Sequence, residues 1–247
     1  MDHISEYNVG GGLLGLGPDI LLEILSEITH LDDVRQFLIL CKKIFKLQTH
    51  QRFLKMIQQT FQIAKQFIFK KGIEGRVDKN KFIHSKNDDW CTIAVNPIIN
   101  EGIASIEIIF NNTGYMGRCI GIADASCSFA AGKGPWEAGN QEKTVRYWDD
   151  GYIDHITKGI DGNQSYKDGQ RIAVEVDMTI VPRRATFFVE GVEQSNCVIG
   201  IPEAIRFWAC IFNSFSSFNV SKFERLIKSS AKGEAGSKGL EYGKEWK

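Results

Sequence analysis

The residues with the most obvious chemical potential are Asp149, Asp150 and Asp154, with His155 directly after them. Two carboxylates at a fixed separation could act as acid and base in glycoside hydrolysis, and several could hold calcium. Adjacent residues of a strand point to opposite faces, however, and the spacing lacks the alternating ligands of a calcium loop. Asp149-Asp150-Gly151 therefore reads as a polar turn. His155 could serve as a base and Ser165 or a cysteine as a nucleophile, yet no Gly-x-Ser-x-Gly elbow or catalytic-cysteine signature surrounds any of them. His155 reads as a surface or hydrogen-bonded strand histidine, as do His30, His50 and His84.

The six cysteines, Cys41, Cys91, Cys119, Cys127, Cys197 and Cys210, are scattered singly. They lack the paired spacing of a zinc site and the density of a disulfide scaffold, which indicates reduced, mostly buried thiols. Gly10 to Gly17 has glycines at dinucleotide-like spacing, but no strand precedes them and no Lys-Ser/Thr follows, so they form a flexible lead into a helix. No catalytic residue, metal or cofactor is assigned, and the chain is read as a non-enzyme.

Composition narrows the partners. With 30 basic and 30 acidic residues the formal charge is zero, so no global field draws the chain to nucleic acid or an anionic membrane. Apolar residues at 43% and charged residues at 24% are ordinary for a globular protein. Residues 1–12 lack the apolar stretch of a secretory signal, and no run is long enough to span a bilayer. The expected location is the cytoplasm or nucleus, the cytoplasm first.

The elements that must position any site change period near residue 85. Before it the pattern is helical: Pro18 suits a first turn, and Ile20, Leu21, Ile24, Leu25 and Ile28 share one face. A second helix is expected through Val34, Phe37, Leu38, Cys41, Ile44 and Phe45, and a third from Phe53 through Phe61 and Ala64 to Ile68. Residues 42–86 are strongly basic, and the lysines are read as a solvated helix face. Three short helices bury little apolar area by themselves, so a partner or neighbouring domain should cover the stripe.

After Trp90 short strands alternate with turns. They run over Cys91 to Val95, Ile103 to Phe110, Cys119 to Ala123, Arg171 to Met178, Ala185 to Val189, Ile205 to Phe212 and Phe218 to Phe223. Ile172, Val174, Val176 and Met178 share one face, and Glu175 and Asp177 the other. The fold class is mainly β: an antiparallel β-sandwich preceded by a small helical segment. The expected boundaries are a flexible 1–12, a helical 13–50, a helical and basic connector 51–85, the sandwich 86–228 and a disordered tail 229–247 whose one docking residue is Trp246.

The order of the strand motifs resembles the SPRY family. Gly121 to Ala123 is followed by Tyr147-Trp148-Asp149-Asp150-Gly151-Tyr152, then by Asp168-Gly169-Gln170-Arg171 leading into the strand that ends at Asp177. Ala185 to Val192 is similar to the family's strand and Asn-Gly hairpin, and Arg206 to Cys210 to its late aromatic strand. Glu190 replaces the usual Asn, and Trp208-Ala209 the usual aromatic-Pro pair. The resemblance implies a concanavalin-like jelly roll that binds a protein or peptide target through its loops. Large aromatics in polar loops are typical anchors, which singles out Tyr115 and Trp136, with Asp149, Asp150 and Tyr152 nearby in the expected fold. Trp148, Phe188, Phe207, Trp208 and Phe212 sit in strand patterns and are assigned to the core.

Residues 13–50 resemble an F-box, through Leu16-Gly17-Pro18-Asp19-Ile20-Leu21-Leu22-Glu23-Ile24-Leu25, Asp33-Val34 and Leu40-Cys41-Lys42-Lys43. Gly17 and Ile44 depart from that pattern. The resemblance implies docking on a Skp-type adaptor of a cullin ubiquitin ligase through Leu16, Pro18, Ile20, Leu21, Ile24 and Leu25. The alternative uses the same helices as plain structure beside a SPRY scaffold. A further one makes the sandwich lectin-like or glycan-active.

Overall fold

The computed structural model describes residues 12–28, 31–54, 61–114, 117–233 and 236–246. The chain divides into a helical unit, Met1–Gln62, and a β unit, Ile63–Lys247.

In the helical unit, α1 (Pro18–Ser26) starts on extended Gly17, with Pro18 in the first turn and Asp19 near the positive end of the helix. Helix α2 (Leu31–Ile39) and the single turn α3 (Lys42–Phe45) follow. The expected continuous helix from Val34 to Phe45 is broken at Cys41. This residue is extended, and its thiol accepts from the Ile44 N–H at 3.5 Å, capping the next turn. Leu21, Leu22, Leu25, Val34, Leu38 and Ile44 are buried, whereas Ile20, Ile39, Leu40, Phe45 and Leu54 are exposed. The α1 face is tied down at its polar edge, where Arg52 bonds Glu23 at 2.5 Å.

The expected third helix does not continue to Ile68. Residues 51–54 are helical, 55–60 lie outside the described residues, and from Phe61 to Lys70 burial alternates with period two. Phe67 and Phe69 turn inward, so β1 (Gln66–Ile68) is a strand. The same chain fits a helical period through Phe61, Ala64 and Ile68, but packing of the two phenylalanines against Phe82 and Phe218 selects the other one. The basic connector likewise forms a hairpin, β2 (Gly75–Asp78) and β3 (Lys81–His84). Arg76 and Asp78 lie on its exposed edge strand, a usual way to discourage further pairing.

The remaining strands are β4 (Cys91–Ile99), β5 (Ile103–Asn111), β6 (Arg118–Asp124), β7 (Thr144–Trp148), β8 (Ile153–Asp154), β9 (Arg171–Asp177), β10 (Arg184–Val189), β11 (Val192–Glu193), β12 (Asn196–Ile199), β13 (Ile205–Ile211), β14 (Ser217–Leu226) and β15 (Lys238–Glu241). They form a six-stranded sheet, β1-β4-β13-β6-β7-β8, and a nine-stranded sheet, β15-β12-β10-β9-β5-β14-β3-β2, with β11 paired to β10. Neighbours are antiparallel except β12 and β15. The two inner faces supply one core, with Ile106, Ile108, Ile172 and Val174 from one sheet and Ile93, Ile120, Val145 and Phe207 from the other. The fold is thus the expected antiparallel sandwich.

Two corrections concern its ends. The sandwich begins with β1, because β1 pairs with β4 and β2 and β3 continue the second sheet. The tail is ordered over residues 236–246: β15 pairs with β12, Trp246 is buried, and Ser229 and Ser230 bond Glu175. Glu175 points outward as expected, yet this cover buries it.

Glu190 and Gly191, with φ of 51° and 78°, make the two-residue turn between β10 and β11. A left-handed glutamate is held by Arg171, whose guanidinium bonds it at 2.7 Å and whose N–H bonds it at 2.7 Å. Glu190→Asn should therefore leave the urea unfolding midpoint nearly unchanged, because asparagine's tolerance of this conformation offsets an exposed ion pair.

Candidate functional site

Strand parity builds a second, smaller core on the outside of the six-stranded sheet. In β13, Phe207, Ala209 and Ile211 face the main core, so Trp208 and Cys210 face outward. Register places Cys210 opposite both Cys119 and Thr92, and Cys119 opposite Trp148, which makes one row across four strands. Trp208, Cys119, Cys210, Ala123 and Cys127 are buried there. The cover is the loop from 125 to 143: the Thr92 hydroxyl bonds Lys133 O at 3.0 Å and the Asn140 amide bonds Ser128 O at 2.8 Å. Burial pushes the Cys127 thiol up to about 11 and raises Cys91, Cys119 and Cys197 as well, so these thiols are protonated and poorly nucleophilic at neutral pH.

At the rim of this core four aromatic rings meet. Trp90 lies 5.1 Å from Trp136, 5.9 Å from Trp148 and 5.0 Å from Phe212, and Trp136 lies 5.7 Å from Trp148. All four are half-buried, so each keeps some surface open to solvent. Edge-to-face packing at these distances rigidifies a patch of large side chains, and that rigidity lowers the entropic cost of binding.

Local structure fixes each member. Trp136 follows Gly134-Pro135, and a Cβ at Gly134 would come within 2.5 Å of the Trp136 ring, so only glycine lets the indole fold back. Glu137 accepts from the Gly134 N–H at 2.9 Å and pairs with Lys133 at 2.9 Å. These bonds, the N–H first, hold its carboxyl below the usual carboxylate range. The Trp148 indole donates to Asp154 at 3.3 Å, and Asp154 also pairs with Arg146. Burial still raises the Asp154 carboxyl, with Arg146 opposing. Asp88 and Asp89 directly precede Trp90, and Asp150 follows Trp148 by two residues, so carboxylates flank the aromatic patch along the chain.

The residues nominated from sequence divide accordingly. Trp136 belongs to the patch and meets the 149–152 turn through Trp148. Asp149 is buried, with its carboxylate 3.3 Å from the Arg118 guanidinium, which makes it a support of the turn. Asp150 is exposed and accepts from the Tyr152 N–H at 3.0 Å, while the half-buried Tyr152 hydroxyl accepts from the Gly159 N–H at 2.7 Å. Tyr115 lies outside the described residues. Trp148 and Phe212 leave the core assignment for the patch, and Trp90 joins them. The signal was parity: Phe212 shares the outward side of β13 with Trp208 and Cys210, and Trp90 that of β4 with Thr92. Phe207 and Trp208 are fully buried and Phe188 is 7% exposed, as core residues are.

On the helical unit, Leu21 and Leu25 are buried at 0% and 1% and serve as its core, Leu16 and Ile24 are half-buried, and Pro18 and Ile20 are exposed. Pro18 and Leu21 line a groove of about 400 Å³ with Lys43, Lys46, Leu47 and His50.

No family model and no curated protein matches the chain. Among solved structures, the chain is similar to the SPRY domain of human HERC1, with 13% identity and a TM-score of 0.44 over 67% of this chain and 96% of that one. It is similar to stonustoxin, with 10% identity and a TM-score of 0.49 over 69% of this chain and 28% of that one. It is also similar to the TRIM65 PSpry domain, with 8% identity and a TM-score of 0.43 over 60% and 84% of the respective chains.

Proposed function

We propose that the β unit is a non-catalytic SPRY-type domain that holds a short segment of a target protein on the Trp90, Trp136, Trp148 and Phe212 patch. The observation that carries this reading is the patch itself: four preorganised, half-exposed aromatic rings beside loops, flanked by carboxylates that favour a target with a basic residue. Peptides selected from a random displayed library on the intact chain should share an apolar or aromatic anchor. Trp136→Ala should weaken the selected peptides at least about tenfold, the range of a hot-spot residue. Selection of glycans in an array, with no peptide enriched, would point to the lectin-like alternative.

The helical unit is proposed to dock on a Skp-type adaptor, as its F-box resemblance implies. Support comes from its exposed apolar side chains, Ile20, Ile39, Leu40 and Phe45. Because Leu21 and Leu25 are buried, the docking surface is assigned to Pro18, Ile20 and their exposed neighbours. Ile20→Asp should abolish co-elution with a Skp-type adaptor while the melting temperature stays within about 2 °C, since exposed substitutions cost little. Leu21→Asp should instead unfold the helices. If the wild type does not co-elute with the adaptor, the helices are structural and the chain is a scaffold; if Ile20→Asp leaves co-elution intact, the adaptor is not held at Ile20. The buried free thiols fit a reducing compartment, cytoplasm or nucleus.

A further inference from the structure

The open side of the sandwich is closed by the chain's own last residues. On that side β12 would be an edge strand, and β8 is the edge of the other sheet. Strand β15 lies parallel on β12 with Gly239 opposite Cys197 and Leu240 opposite Val198. Beyond it, Tyr242 and Trp246 cover His155, which follows β8, with ring centroids at 4.4 and 5.5 Å. The Gly243 N–H donates to His155 Nε2 at 2.9 Å, while His155 Nδ1 donates to Thr144 O at 2.8 Å.

Two features separate this strap from a permanent strand. Much of it faces solvent: Lys238, Gly239 and Glu241 are exposed and Leu240 and Tyr242 half-buried, so that it holds to the main core through Leu240, Tyr242 and the buried Trp246. Its partner strand keeps a neighbour without it, because β12 pairs with β10 on its other side.

We propose that the β12 edge and the His155 ring form a second peptide-binding site, one that adds an extended partner segment as a parallel strand and is held closed by residues 238–246. The segment it takes carries a small residue, an apolar one, an aromatic two positions on and a tryptophan four beyond, as Gly239, Leu240, Tyr242 and Trp246 do. A small residue suits the position because a Cβ at Gly239 would meet the Ile199 side chain at 3.3 Å, and that side chain would have to shift for a larger one. Backbone pairing supplies affinity and the aromatic pair supplies choice. This surface is separate from the aromatic patch and does not rest on it.

The closure is sensitive to protons. His155 Nε2 can accept from Gly243 only while the ring is neutral, and burial lowers the imidazole from its usual 6.5. Around it, the Thr144 carbonyl and Glu142 favour the charged form, Arg146 opposes it, Asp154 is engaged by Arg146, and Tyr242 stacks on the ring. The released strap leaves His155 freer to bind a proton, so closure weakens as pH falls below 6.5 toward the lower docked value.

The test uses the full chain with Tyr242→Ser and Trp246→Ser, and a fluorescent synthetic peptide of residues 236–247 as probe. The variant should bind the probe at least tenfold more tightly than the wild type does, and Trp246→Ala in the probe should abolish the gain. A folded variant that binds no better than wild type overturns the proposal, and so does self-association of the wild type through exchanged tails, which would make the occupant a second copy. If the variant fails to fold, hydrogen exchange on the wild type decides. The Gly239 to Gly243 amides should exchange at least tenfold faster than the Val174 amide, more so at pH 5.5 than at 7.5 after correction for intrinsic rates, and His155→Gln should flatten that dependence. Exchange of these amides only with the core overturns it.

Discussion

Arg118→Met should lower the stability of the β unit by about 3–5 kcal/mol, the usual consequence of removing one partner from a buried ion pair. Arg118 is 5% exposed and Asp149 6%. The guanidinium lies 3.3 Å from Asp149 and 3.2 Å from Asp168, and it donates to Gly114 O at 2.8 Å and Tyr166 O at 2.9 Å. Thr113 closes the network, its hydroxyl donating to Asp168 at 2.6 Å while accepting from Arg118 at 2.5 Å. A methionine fills much of the volume but leaves the Asp149 carboxylate desolvated without its cation. For a unit of this size the loss corresponds to a fall of roughly 6–20 °C in the melting midpoint, read by thermal or urea unfolding. Adding Asp149→Asn to Arg118→Met should recover part of the loss, because the uncompensated charge is then gone. Because the same network anchors the 149–152 turn next to Trp148, target affinity should fall along with stability.

Gly121→Ala should be nearly as damaging although it adds one methyl group. Gly121 sits mid-strand in β6, opposite Trp208 on one side and Arg146 on the other. Its backbone is not left-handed; the constraint is space, since a Cβ would stand 1.8 Å from Val145 O and 2.7 Å from the Trp208 ring. The backbone oxygen cannot rotate away, so β6 and β7 must separate or Trp208 must leave its buried place. A cost of about 3 kcal/mol is expected, at the upper end for overpacking, with loss of Trp208 fluorescence character as a local readout. A Gly121→Ala chain as stable as wild type would show that the sheet yields more easily than its geometry indicates.

Much of the sandwich was legible because period-two alternation is local. The strands around Ile106, Ile172 and Phe207 declare their inward face within five or six residues. The same rule, carried through to the strand ends, places Trp90, Trp148 and Phe212 on the outer side, whereas the size of Trp148 and Phe212 alone points to the core. Residues 61–69 fit both periods, and only Phe82 and Phe218, contributed from elsewhere in the chain, decide between them. The tail is a related case. Its composition has little to bury, yet the β12 edge, the His155 ring and the main core together order Leu240, Tyr242 and Trp246. Asp149 shows the limit most plainly: its neighbours mark a polar turn, but the partner that buries it is Arg118, 31 residues earlier. In the helical unit the apolar stripe was visible, but which of its members face inward depended on the break at Cys41.

The most direct test of the central claim is affinity purification with mass spectrometry on three full-length chains: wild type, Trp136→Ala and Ile20→Asp. The account predicts that Trp136→Ala loses the target proteins retained by wild type while keeping any Skp-type adaptor, and that Ile20→Asp does the converse. Retention of the same targets by a folded Trp136→Ala chain would contradict it, because the aromatic patch would then not be where the target is held.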